Sequence, residues 1–124
     1  MAAAGRLELA RRLLAEAEEY LARGDAVRSS ERLCKAAEGR IGALAERLNL
    51  KEVREAEEKG GWAVTLLGKA VGRLVDRLGA DVGLGWAGAN YLRVWGFHEA
   101  KLDVEDVKRR IPIIRRLVDL TQKT

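Results

Sequence analysis

The chain has 124 residues and a mass of 13.7 kDa, and 48% of its residues are apolar, enough for one domain with a core of its own. Charged residues make up 34%, the net charge is +4, and there are 13 glycines, one proline and one cysteine. This composition excludes a disordered tail, a disulfide scaffold, a collagen-like repeat and a polytopic membrane protein.

The start of the chain turns charged at Arg6 and has no apolar run behind it, so it does not read as a secretory signal. From there the periodicity is helical almost throughout, and nothing alternates with the period of two that a strand needs. A first helix is predicted over about Ala3–Arg23, with Leu7, Ala10, Leu14, Ala17 and Leu21 in one arc. Gly24 stops it and Asp25 caps the next, making a tight helical hairpin. The second helix runs to about Asn49, with Leu33, Cys34, Ala37, Ile41 and Leu44 along its apolar side.

The charged stretch Leu50–Lys59 reads either as a short peripheral helix or as a continuation of the second, closed by Gly60-Gly61. A third main helix is expected over Trp62–Leu78, with Trp62 outside the apolar pattern, and Gly68 and Gly72 at a spacing that suits either close helix packing or tolerated glycines on a surface face. Asp81 is expected to cap a fourth helix reaching about Gly96. That helix is apolar nearly all round, which predicts the central, most buried position. Asp103 caps a fifth. A kink or short break is expected near Arg110–Pro112, with Pro112 in the first turn of the following piece. The expected fold is all-α, a single domain over residues 1–124 built as an up-down bundle of four to five main helices.

Chemistry-bearing motifs are few. One His and one Cys argue against a metal site, and no phosphate-binding glycine loop is present, so no cofactor is expected. Cys34 sits in an apolar arc and reads as inert packing. Net charge is 0 over residues 1–60, +1 over 61–100 and +3 over 101–124. Lys108, Arg109, Arg115 and Arg116 would fall in one arc of a continuous C-terminal helix, a candidate phosphate-binding face or a solvated one. Arg93 is the only charge between Asp81 and Glu99, and because burying it unpaired is costly it must reach solvent, an acidic partner, a subunit interface or an anionic ligand.

Three stretches carry a resemblance. YLARGDAVRSSERLCKAAEGRIGALAE (Tyr20–Glu46), GGWAVTLLGKAV (Gly60–Val71) and VWGFHEAKLDVEDVKRRIPIIRRLV (Val94–Val118) resemble the archaeal PaREP family, the PaREP-one/PaREP-eight group. The resemblance implies a thermophilic archaeal source and a compact helical domain, and the single cysteine with no apolar leader leads to the expectation of a cytoplasmic location. In helix order the chain is also similar to HEPN and nucleotidyltransferase-partner bundles, which implies a HEPN-like fold, a homodimer, and a nucleotidyltransferase-type protein or RNA as partner, without a membrane. HEPN ribonucleases carry R-x4-6-H, matched here by Arg93-Val-Trp-Gly-Phe-His98. In such a pair the imidazole moves a proton at a ribose hydroxyl and the guanidinium holds the phosphate. On a straight α-helix the two side chains diverge by ~140°, so a shared site would need a break at Gly96 or a second copy.

The leading expectation is a non-catalytic dimeric interaction module. The alternatives are a metal-independent ribonuclease or RNA-binding bundle using Arg93 and His98, and a regulatory bundle with a small-molecule pocket between helices.

Overall fold

The computed structural model describes residues 3–120, and all of their regular structure is helical. The helices are α1 (Ala3–Ala22), α2 (Ala26–Arg47), α3 (Lys51–Glu58), α4 (Val64–Leu78), α5 (Ala80–Tyr91), a π-helical segment (Leu92–His98), α6 (Val104–Lys108) and α7 (Ile111–Val118).

The α1–α2 hairpin forms for local reasons. Gly24 takes φ +80°, a value that costs a residue without a β-carbon little. Asp25 then accepts a 3.0 Å hydrogen bond from the Arg28 backbone and starts α2. Cross-links of falling sequence separation show that the pair is antiparallel: Arg6 with Glu46 at 2.8 Å, Arg32 with Glu16 at 2.9 Å, and the Ser29 hydroxyl donating to the Ala17 carbonyl at 2.8 Å.

The core is centred on α2, not on the fourth main helix as its apolar composition suggests. α2 touches α1, α3, α4, α5, the π segment, α6 and α7, and it buries Leu33, Ala37, Ile41 and Leu44 completely. α5 is only half covered. Its glycine side lies tight against α7, where a β-carbon on Gly85 would come 2.7 Å from Leu117 Cβ and one on Gly88 2.5 Å from Ile113 Cδ1. Its other side faces outward. Uniform hydrophobicity thus marks a helix with one face in the core and one bare.

Other expectations are refined. Asn49, at φ +54°, separates α3 from α2, so the charged stretch is a helix of its own. α4 begins at Val64, leaving Trp62 half-buried in the preceding loop and packed on the core. Gly79 precedes α5 as its cap, with Asp81 in the first turn, where its charge suits the helix dipole. Gly68 and Gly72 have open space around them and are not packing glycines. Asp103 and Asp106 form a capping box on α6, with bonds of 2.9 and 3.1 Å. The chain breaks after Lys108 and restarts with Pro112 in the first turn of α7, as the lost backbone donor requires.

Candidate functional site

Gly96 does not break the helix. It lies inside the π-helical segment, buried against α2, with a hypothetical β-carbon 2.1 Å from Ser30 Oγ. A π-helix turns less per residue than an α-helix because its hydrogen bonds run from i to i+5. Residues five apart, such as Arg93 and His98, therefore come nearer to one face than on an α-helix. Their side chains nevertheless have different surroundings. Arg93 is mostly buried, its Nη1 lies 3.9 Å from Glu38 Oε2, and its guanidinium sits 5.8 Å from the Trp86 ring. His98 is exposed and tilts against Phe97 with ring centroids 5.0 Å apart. Among the described residues, the two share no hydrogen bond.

The basic residues near the C-terminus are split by the break at Pro112. Lys108 and Arg109 belong to the end of α6, and Arg115 and Arg116 to α7. Arg109 faces Glu105 at 3.9 Å and Arg115 pairs with Glu18 of α1, while Lys108 and Arg116 are exposed. Arg110, which would have interrupted the apolar arc of a continuous helix, instead lays its guanidinium 3.9 Å over the Tyr91 ring and donates to the Asp106 carbonyl.

Cys34 is buried beside Glu38, Sγ to Oε2 at 3.4 Å. Burial above all, then the neighbouring Glu38 carboxylate, pushes the thiol up to about 12, against a smaller opposing pull from Arg93. Buried and protonated at neutral pH, it packs as a small apolar side chain.

Two features were missed by sequence reasoning. The first is the outward face of α5 and the π segment. Leu84, Tyr91, Val94, Trp95 and Phe97 are each between 38% and 51% exposed, and exposed Ala87 lies between the first two. Leu84, Ala87 and Tyr91 follow i, i+3, i+7 along α5, so they form one stripe, and exposed Val94 follows in the π segment. That spacing was visible in the sequence, but its exposure was not.

The second is a cleft of about 340 Å³ between α1, α2 and the Trp62 loop. Its walls are Leu9, Leu13, Leu67 and Trp62, and its floor is Gly39 and Gly42 of α2. A β-carbon on Gly39 would meet nothing within 4 Å. Lys35 and Glu38 line the cleft beside these glycines, and Arg6 reaches over Gly42. Two helical glycines three residues apart were the available signal.

Among the described residues, no group of His, Cys, Asp and Glu could hold a metal ion, and no helix is long and apolar enough to cross a membrane. The fold is similar to a crystal structure of a Sulfolobus solfataricus protein, with a TM-score of 0.82, 37% identity, and 89% of this chain and 90% of that chain covered. It is also similar to a solution structure of the same structural-genomics target, with a TM-score of 0.76, 36% identity, and coverage of 88% and 84%. No curated protein matches the chain. The archaeal PaREP1/PaREP8 family matches residues 5–118, which contain α2, the exposed α5 stripe and the π segment. This chain belongs to that family.

Proposed function

We propose that the protein is a non-catalytic interaction module that pairs with a second copy of itself through the outward face of α5 and the π segment. The observation that carries this reading is the exposed apolar stripe. Tyr91, Trp95 and Phe97 are three of the chain's six aromatic residues, and all three are exposed on α5 and the π segment. Contiguous exposed apolar surface marks interaction sites, and aromatic anchors dominate interface cores. The occupant is argued from charge. Leu84, Ala87, Tyr91, Val94, Trp95 and Phe97 carry no charge at neutral pH, so they can meet their own image across a two-fold axis, with Arg110 over the Tyr91 ring and Lys101 over the Trp95 ring as flanking cations. An antiparallel pairing also opposes the dipoles of the two α5 helices favourably.

The placement of Arg93 supports a non-catalytic role. Its guanidinium is engaged by Glu38 and Trp86.

Sedimentation equilibrium over the micromolar range tests this reading. A dimer is expected, and Leu84→Glu with Trp95→Glu should give a monomer of unchanged helicity. A wild-type protein that stays monomeric throughout, or a double variant that still dimerises, overturns it.

A further inference from the structure

The cleft between α1 and α2 shares no residue with the α5 stripe, and we infer that it is a binding site for a small apolar carboxylate. Its volume, about 340 Å³, is at the lower end of the range that small-molecule sites occupy. Its body is hydrocarbon: Leu9 and Leu13 from α1, Leu67 from α4 and the indole of Trp62. Leu9 is 38% exposed because it lines this opening. The open depth comes from α2 having no side chain at Gly39, while Gly42 lets Arg6 and Trp62 pack close against the helix.

Two N–H groups converge on the floor at Gly42. A β-carbon there would lie 3.2 Å from Arg6 Nη1 and 3.5 Å from Trp62 Nε1. Among the described residues, no protein acceptor takes the Trp62 indole hydrogen. Arg6 binds Glu46 through Nη2 at 2.8 Å, so Nη1 is the arm that faces the cleft. Lys35 adds a second positive charge in the lining, beside Glu31 at 3.5 Å. The one carboxylate in the lining, Glu38, is turned to Arg93 at 3.9 Å and to the Cys34 thiol. An acceptor that carries negative charge satisfies both donors at Gly42, and an attached hydrocarbon body covers the leucines. A cation meets the Arg6 and Trp62 donors, which it cannot satisfy, and among the described residues finds no free carboxylate there, because Glu46, Glu31 and Glu38 are each already paired.

The probes are octanoate, octan-1-ol and octylammonium, which share one hydrocarbon tail. Each is titrated calorimetrically and by following the three indole N–H resonances of the isotope-labelled protein. Octanoate should bind saturably, one per chain, and move the Trp62 resonance and not that of Trp95. Octan-1-ol should bind about tenfold more weakly, the difference expected for losing a charge-assisted hydrogen bond, and octylammonium more weakly still. Arg6→Gln should lower octanoate affinity to that of octan-1-ol. Gly39→Leu places a side chain in empty space and improves helix propensity, so it should abolish binding without lowering the melting temperature. No saturable octanoate binding to the wild type, undiminished binding to Gly39→Leu, or octylammonium binding as tightly as octanoate overturns the assignment. A shift of Trp95 alone also overturns it, because octanoate is then on the α5 stripe.

Discussion

Gly96 and Ser30 hold the π segment against α2: a β-carbon on Gly96 would lie 2.1 Å from Ser30 Oγ and 2.7 Å from Ser30 Cβ. Ser30 is fully buried and its hydroxyl has no hydrogen-bond partner, so it has no room to swing aside and no bond that fixes it. Overpacking at such a contact displaces backbone, and Gly96→Ala should cost about 2–3 kcal/mol in urea unfolding. Ser30→Ala removes only the nearer clash, and Ser30→Gly removes both. In double-variant cycles with Gly96→Ala, the recovery should therefore be larger for Ser30→Gly than for Ser30→Ala. Equal recovery would show that the clash is not what the substitution costs.

Arg93 and His98 should separate by what each does to stability. Arg93 is 17% exposed and holds the π segment to Glu38 of α2, so Arg93→Gln should destabilise by about 1–2 kcal/mol. His98 is exposed beside Phe97, and His98→Ala should stay within about 0.5 kcal/mol of wild type. Labelled RNA incubated with the protein in EDTA should remain intact. Cleavage that disappears in His98→Ala would replace the interaction-module reading with the ribonuclease one.

Among the described residues, two non-glycines adopt left-handed backbone, Asn49 at φ +54° and Ala100 at φ +52°. Ala100 closes the π segment, where the Lys101 amide reaches back to the Trp95 carbonyl at 2.8 Å. Alanine is strained there, and Ala100→Gly should raise stability by about 0.5 kcal/mol despite glycine's larger unfolded-state entropy. Asn49→Gly should gain less, because asparagine tolerates this region. Thermal unfolding of the two variants side by side checks the order, and a larger gain at Asn49 contradicts it.

How much of this was legible in the sequence depends on which kind of signal each feature has. Local signals read correctly: Gly24-Asp25, the Asp103 cap and Pro112 each act through backbone geometry within a few residues. Partner assignment did not. The apolar content of Val82–Phe97 says that the segment avoids water, but not whether its cover is the chain's own core or another molecule. The glycines show the same division. Gly68 and Gly72 have a packing spacing with nothing packed on them, while Gly85 and Gly88 carry the α5–α7 contact. The π segment has no periodic signature of its own, because seven residues are too few to distinguish its wider turn from an α-helix. The Arg93-Val-Trp-Gly-Phe-His98 match pointed instead to a break at Gly96, and the helix runs unbroken through it.

Cys34 gives a pH dependence whose sign can be worked out. The folded chain holds the thiol proton up to about 12, because of burial first and the Glu38 carboxylate second, while an unfolded cysteine releases it near the ordinary value of 9.0. Between those values unfolding releases a proton, so this group makes stability fall as pH rises from about 9 to about 12 and has no effect below that window. Lysines and tyrosines titrate in the same range, so the quantity to measure is the difference between wild type and Cys34→Ala. The wild-type slope of unfolding free energy against pH should be steeper by up to one proton. Thiolate absorbance should appear in the native protein only above about pH 11, and Glu38→Gln should move it lower without restoring the free-thiol value, because burial remains. Native thiolate at pH 9, or equal slopes for the two proteins, would show that α2 opens at Cys34.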